Sequence, residues 1–260
     1  MFNHDKPKYE TRRVPEKEMI FGTRAVIEAI EAGKTLDKIL LRRDMSSATG
    51  RELLKRLQGT TTPVQKVPVE KLNQYTDKNH QGVIAFLSPI DFHRIEDIVP
   101  TLFESGKTPL LMVLDGVTDI RNFGAIARTC ACVGADALII GAYRGVSING
   151  DAMKTSAGAL HSLPVCKVEN LQQCLQYLRD SGIQTVAATE HTNQNYTDVD
   201  MTTPIAIVMG SEDCGIYEPN LRLCTQQVRI PMYGPIESLN VSVAAGVMLY
   251  EAIRQRTLNQ

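Results

Sequence analysis

At 260 residues, with 43% hydrophobic and 22% charged residues and a formal net charge of −1, the chain has an ordinary globular composition, with room for one large domain or two. It holds no run of eighteen apolar residues, and its opening Met1-Phe-Asn-His-Asp-Lys-Pro-Lys lacks a secretory apolar core, so a cytoplasmic protein with no membrane partner is expected. The six cysteines include no CxxC pair, which predicts buried reduced thiols and no metal site.

In chain order, residues 1–20 are polar, Pro-containing and aperiodic, as in a mobile arm. Residues 21–88 read as a small α/β module. Ala25, Ile27, Ala29 and Ile30 suggest a helix ended near Gly33. Strands are predicted at 38–42, 63–67 and 82–87, with helices at 46–58 and from Pro68 onward. Within residues 38–56, Lys38, Arg42, Arg43, Arg51, Lys55 and Arg56 stand against only Asp44 and Glu52. This local excess of positive charge suits phosphates, and it equally suits a solvated helix face.

Residues 89–108, with Pro100 and Gly106, read as a linker. From residue 109 to 260, strands at 110–114, 137–141, 164–168, 183–188, 204–209 and 226–230 are predicted. Helices are predicted at 122–133, 170–181, 218–224 and 240–257. Such alternation implies a largely parallel sheet covered by helices. The final helix opens with Val241-Ser-Val-Ala-Ala-Gly-Val-Met-Leu249, apolar on every side, so it must be buried on every side. Its small residues Ala244, Ala245 and Gly246 favour close helix packing and suggest a homodimer interface.

Three segments in this half place Gly, Asn, Ser or a charge just past an apolar strand, where α/β proteins bind ligands. They are Leu114-Asp-Gly-Val-Thr-Asp-Ile-Arg-Asn-Phe-Gly-Ala-Ile-Ala-Arg128-Thr, Ile207-Val-Met-Gly-Ser-Glu212-Asp-Cys-Gly215 and Ile230-Pro-Met-Tyr-Gly-Pro-Ile-Glu-Ser-Leu-Asn240-Val-Ser-Val-Ala. Asn122 suits a helix N-cap. Gly124 admits a close backbone or ligand, and Arg128 either grips a phosphate or makes a surface pair. Glu212 is a capping acid or a site carboxylate. Asn240 stands at a helix start, where it caps, binds, or does both. A Walker lysine, a GxGxxG after a strand and a G-x-S-x-G elbow are all missing, which removes the commonest nucleotide, dinucleotide and esterase readings. Cys214 has no His nearby in sequence, and the five histidines fall mostly in polar stretches, so none is assigned a role.

Taken in order and at their spacing, the three segments closely resemble the signature motifs of SpoU-type (TrmH-like) RNA ribose 2′-O-methyltransferases of the SPOUT superfamily. The likeness runs from about Phe21 to Arg256. Lys154-Thr-Ser-Ala-Gly-Ala-Leu160 followed by Leu163-Pro-Val165 is similar to the bacterial branch that methylates a guanosine of 23S ribosomal RNA.

The resemblance implies a C-terminal SPOUT domain with a deep trefoil knot. It also implies an N-terminal module like ribosomal-protein RNA-binding domains, giving Arg42, Arg43, Arg51, Lys55 and Arg56 a role on RNA. S-adenosyl-L-methionine would be held by backbone at Gly210, Ile230 and Leu239. Asn122, Arg128, Glu212, Ser238 and Asn240 match the family's polar site positions, with Arg128 as activator of the 2′-hydroxyl. A guanidinium keeps its proton, so orienting a phosphate and stabilising the nascent alkoxide suits it better than base catalysis. The family acts as a homodimer whose site draws partly on the partner chain. A 23S ribosomal RNA or assembly-intermediate substrate is expected. The alternatives are the same reaction on tRNA, a non-catalytic ribosome-assembly protein, and a resistance enzyme that protects ribosomes.

Overall fold

A computed structural model describes residues 19–258, and the chain divides into two units, one through Ser88 and one from Pro89. The expected arm lies outside the described residues up to position 18, while Met19 and Ile20, also assigned to it, are strand residues.

The first unit runs β1 (Met19–Phe21), α1 (Thr23–Glu31), β2 (Leu36–Arg42), α2 (Ala48–Arg56), β3 (Val64–Val67), α3 (Val69–Asn73) and β4 (Val83–Leu87). Its sheet has the order β1-β4-β2-β3, antiparallel except for the β2–β3 pair. Alternation along the strands divides the core. Ile39, Leu41, Val83 and Ala85 meet Val26 and Leu53 of α1 and α2. On the opposite face Leu40, Ile84 and Phe86 meet Leu72 of α3.

The second unit begins inside the expected linker. β5 (Phe92–His93) pairs with the sheet and α4 (Ile95–Glu104) packs on it. Residues 92–104 are therefore part of this unit's fold and not a bridge. Pro100 lies inside α4. Its ring removes one helix hydrogen bond, yet Ile95, Val99 and Leu102 still form a buried stripe, and that burial holds the helix.

Then follow β6 (Leu110–Asp115), α5 (Ile120–Val133), β7 (Ala137–Gly141), α6 (Gly150–Thr155) and β8 (Val165–Val168). The remainder is α7 (Leu171–Asp180), β9 (Gln184–Ala188), β10 (Ile205–Gly210), α8 (Glu218–Leu221), β11 (Gln226–Val228) and α9 (Val241–Leu258). The sheet order is β11-β9-β10-β6-β7-β8-β5, and every pairing in it is parallel. Parallel strands covered on both faces read as continuous apolar runs. Leu110, Met112 and Leu114 pack toward α5 and α9, while Leu111 and Val113 pack toward α4, α7 and α8.

The chain moves outward from β6 to β7 and β8, then returns to build β9, β10 and β11 on the other side. β6 and β10 thus flank the point where the winding reverses, and ligands of open α/β sheets bind at the strand ends there. Among the described residues no helix is long and apolar enough to cross a membrane.

Candidate active site

Because β10 and β6 are neighbours with Gly210 opposite Asp115, the loops that follow them emerge side by side. A cavity of about 440 Å³ opens between them, lined by Gly116, Asp119, Asn122, Glu212, Asp213 and Val241 among others.

The helix after β6 starts two residues earlier than expected. Asp119, not Asn122, is its N-cap, accepting the Asn122 N–H on its carboxylate at 2.9 Å. The Asn122 side chain is thereby released for another partner: its Oδ1 accepts from Asn240 Nδ2 at 3.0 Å. The same amide donates to Glu212 Oε1 at 2.6 Å. Asn240 Oδ1 meanwhile accepts the Ser242 N–H at 3.0 Å, at the first turn of α9. Asn240 caps a helix with one end of its amide and joins two loops with the other. Three predicted residues from three segments meet in one hydrogen-bonded cluster.

Two glycines make this possible. A Cβ on Gly210 would lie 2.1 Å from the Gly215 carbonyl carbon. The turn Ser211–Gly215, closed by paired backbone bonds of 3.1 and 2.9 Å, folds back over that bare position and carries Glu212. A Cβ on Gly124 would lie 2.2 Å from Thr155 Oγ1 and 2.8 Å from its backbone carbonyl carbon. The close approach at Gly124 is therefore that of α6.

Asp115, 5% exposed, accepts at one oxygen from the Tyr217 N–H and from Asn220 Nδ2, both at 2.8 Å. This buried carboxylate ties the end of β6 to the chain beyond the Glu212 turn. The Asp-Gly pair at a strand end was its only sign in the sequence. Tyr143, Arg144 and Cys214 also border the cavity, and the first two were not anticipated.

The other predicted residues lie elsewhere. Arg128, on α5, is exposed and makes no hydrogen bond or ion pair among the described residues. It does not join the Asn122–Asn240–Glu212 cluster. Ser238 and Leu239 are exposed ahead of α9, Gly210 ends β10 and Ile230 follows β11. None of these four lines the cavity.

In the first unit, Arg42 pairs with Asp44 at 2.8 Å, and Arg56 with Glu31 and Glu52. Arg51 donates to the Ser46 carbonyl at 2.6 Å. Arg43 and Lys55 are exposed, and their side chains have no such partner among the described residues. Two of the six cations of the basic stretch, Arg42 and Arg56, are thus neutralised locally.

The thiols divide differently from expectation. Burial pushes Cys130, Cys166, Cys174 and Cys224 up to about 12, so they stay protonated and inert. Cys132 and Cys214 are exposed rather than buried.

Comparison with known proteins agrees with this architecture. The SpoU rRNA Methylase family model matches residues 109–250, and the model for RNA 2'-O ribose methyltransferase substrate binding matches residues 19–93. A Staphylococcus saprophyticus protein assigned to the TrmH family of tRNA/rRNA methyltransferases is 35% identical over 241 residues, 93% of this chain and 97% of that one. The SpoU methyltransferase AviRb from Streptomyces viridochromogenes, crystallised in complex with the cofactor AdoMet, has a TM-score of 0.58 and 27% identity, covering 92% of this chain and 90% of its own. The A. aeolicus TrmH/SpoU tRNA modifying enzyme is 34% identical with a TM-score of 0.53, but covers only 64% of this chain and 85% of its own. With both of its units matched by the family's models and a relative aligned along nearly its whole length, the chain belongs to the SpoU/TrmH family of RNA methyltransferases.

Proposed function

We propose that this protein transfers the methyl group of S-adenosylmethionine to the ribose 2′-hydroxyl of a guanosine in 23S ribosomal RNA, in the cytoplasm and as a homodimer. The observation that carries the reading is the convergence of Asn122, Glu212 and Asn240 beside a cavity at the reversal point of the sheet.

The cofactor fits the carboxyl edge of the second unit. Gly210 ends β10, Ile230 lies just past β11 and Leu239 just ahead of α9, where backbone groups serve adenosine. Met232, Ile236 and Leu239 nearby expose apolar side chains suited to cover it. Bound there, S-adenosylmethionine supplies an electrophilic methyl on sulfur. The threading of this edge into a trefoil knot belongs to the same proposal.

The chain's own residues then act on the ribose. Asn122 and Glu212 hold the sugar through hydrogen bonds, and Asn240 keeps both loops in register. Transfer would join the 2′-oxygen to the methyl carbon as the sulfur–carbon bond breaks to leave a neutral thioether, with the hydroxyl proton passing to solvent water. Fixed geometry supplies much of the rate. The exposed Arg128 reaches the site of the second protomer, where its charge orients the adjacent phosphate and stabilises the developing alkoxide; Ser238 contributes at the same edge. Val243 and Tyr250, one above the other on α9 and 52% and 58% exposed, supply an apolar stripe for the dimer. In the first unit the basic stretch holds the RNA backbone. That unit favours ribosomal RNA, since the tRNA modifying relative covers only 64% of this chain.

The test is a map of ribose methylation in RNA from cells with and without the gene. Loss of one methylated guanosine in 23S RNA, restored by wild type and not by Arg128→Ala, is the expected result. Loss at a tRNA site instead moves the substrate to tRNA. No loss in either pool overturns the reading.

A further inference from the structure

Two tyrosines and an arginine stand at or beside the mouth of the cavity and take no part in the cluster inside it. Tyr143 and Arg144 form the tip of the turn after β7. A Cβ on Gly145 would lie 2.2 Å from the Gly141 carbonyl oxygen, so the turn closes this tightly only with glycine there. Ala142 N–H continues the sheet onto the Val168 carbonyl at 2.8 Å, and Val146 is buried behind the turn. The turn is anchored on both sides, yet Tyr143 at its tip is 55% exposed. Tyr217 approaches from the β10 side, its N–H fixed by the buried Asp115 at 2.8 Å while its ring stays 50% exposed. The Arg144 guanidinium lies 5.4 Å from the centre of that ring. Among the described residues, the Tyr143, Arg144 and Tyr217 side chains make no hydrogen bond or ion pair.

One exposed cation–π contact stabilises a fold only weakly, so three planar groups projected from fixed backbone call for a ligand. Asp119, Glu212 and Asp213 line the same cavity, and their charge disfavours a phosphate within it. A neutral planar ligand suits it. Unpaired RNA bases stack on aromatic rings and guanidinium planes, and enzymes acting on a nucleotide draw it out of its helix into a pocket. A cavity of about 440 Å³ is within the range of small-ligand sites. We propose that Tyr143, Arg144 and Tyr217 form a stacking rim for the unpaired nucleobase of the target nucleotide, positioning its ribose toward Asn122 and Glu212. The proposal rests on the methyl-transfer reading and adds the part of the substrate that these residues grip.

The test measures methyl transfer from tritiated S-adenosylmethionine to ribosomal RNA and tRNA prepared from cells lacking the gene. Tyr143→Leu and Tyr217→Leu should each raise KM for RNA roughly ten-fold, the loss expected of one base–aromatic stack, with a smaller effect on kcat. Tyr→Phe at either position should restore KM, and Arg144→Lys should behave like Arg144→Ala because the ammonium lacks the planar face. Cofactor affinity by calorimetry should be unchanged throughout, showing the fold intact. A wild-type KM in both leucine variants, or rescue by Arg144→Lys, overturns the rim alone, the latter in favour of a phosphate contact. Lost cofactor binding in the leucine variants assigns the tyrosines to structure and also overturns it. Wild type that methylates none of these RNAs overturns the methyl-transfer reading, and the rim with it.

Discussion

Asn240 Nδ2 lies 2.6 Å from Glu212 Oε1, and this one donor holds the turn after β10 against the first turn of α9. Asn240→Asp keeps the acceptor that caps Ser242 but sets a carboxylate against Glu212 and Asn122. Its thermal stability should stay within about 1 kcal/mol of wild type, while methyl transfer falls roughly a hundred-fold through misplacement. Activity within two-fold of wild type would remove the cluster from the mechanism.

Arg128 has no partner to lose among the described residues. Arg128→Ala should therefore melt within about 0.5 kcal/mol of wild type, bind cofactor normally and fail in turnover. A variant that cannot bind S-adenosylmethionine would make Arg128 a cofactor contact.

The unpaired charges of the basic stretch separate binding from structure. Arg43→Glu with Lys55→Glu should weaken RNA binding and flatten its salt dependence by more than one unit of slope. Arg56, already held by Glu31 and Glu52, should matter less to binding. An unchanged salt slope in the double variant would mark the stretch as a solvated face.

Arg256 is a structural counterpart to the site residues. It donates to the carbonyls of Thr108, Pro109, Met201 and Thr203 at 2.9 to 3.0 Å, fastening the end of α9 to the entrances of β6 and β10. Arg256→Met strands those acceptors and should destabilise the second unit by roughly 2–4 kcal/mol. Lysine should recover only part of this, since one ammonium does not span the four. Urea unfolding measures both, and a midpoint equal to wild type for Arg256→Met would refute the assignment.

His80 makes the first unit sensitive to acid. Its Nδ1 accepts from the Gly82 N–H at 3.0 Å, and its Nε2 meets Asn73 Oδ1 at 2.8 Å. Burial, and then the charge of Arg42, hold its pKa below the ordinary value. The unfolded chain then binds the proton first, so stability is full above about pH 6.5 and declines as pH falls toward the folded pKa. Melting at pH 5.5 should lie below that at pH 7.5, and His80→Gln should flatten this difference. An identical pH dependence in the variant would clear His80 of the effect.

What the sequence determined by itself is the framework of the second unit and the three segments from which Asn122, Glu212 and Asn240 meet. Runs such as Leu110–Leu114 and Ile205–Met209 are legible because a parallel strand covered on both faces must be apolar throughout. Local signals failed where burial overrode them. Pro100 suggested a break, but the stripe Ile95, Val99 and Leu102 holds α4 across it. The three-residue β1 is too short to show a period and exists through its pairing with β4. Tertiary structure alone decided that Asp119 caps α5, freeing Asn122 for Asn240. It also brought together residues 118 and 28 positions apart, because the order β10-β6 sets their loops side by side. Tyr143, Arg144 and Tyr217 carry no signature of their own, and Asp115 only that of an Asp-Gly pair at a strand end. Their significance comes from which strand ends are neighbours, and that is set by sheet order, which no stretch of sequence contains.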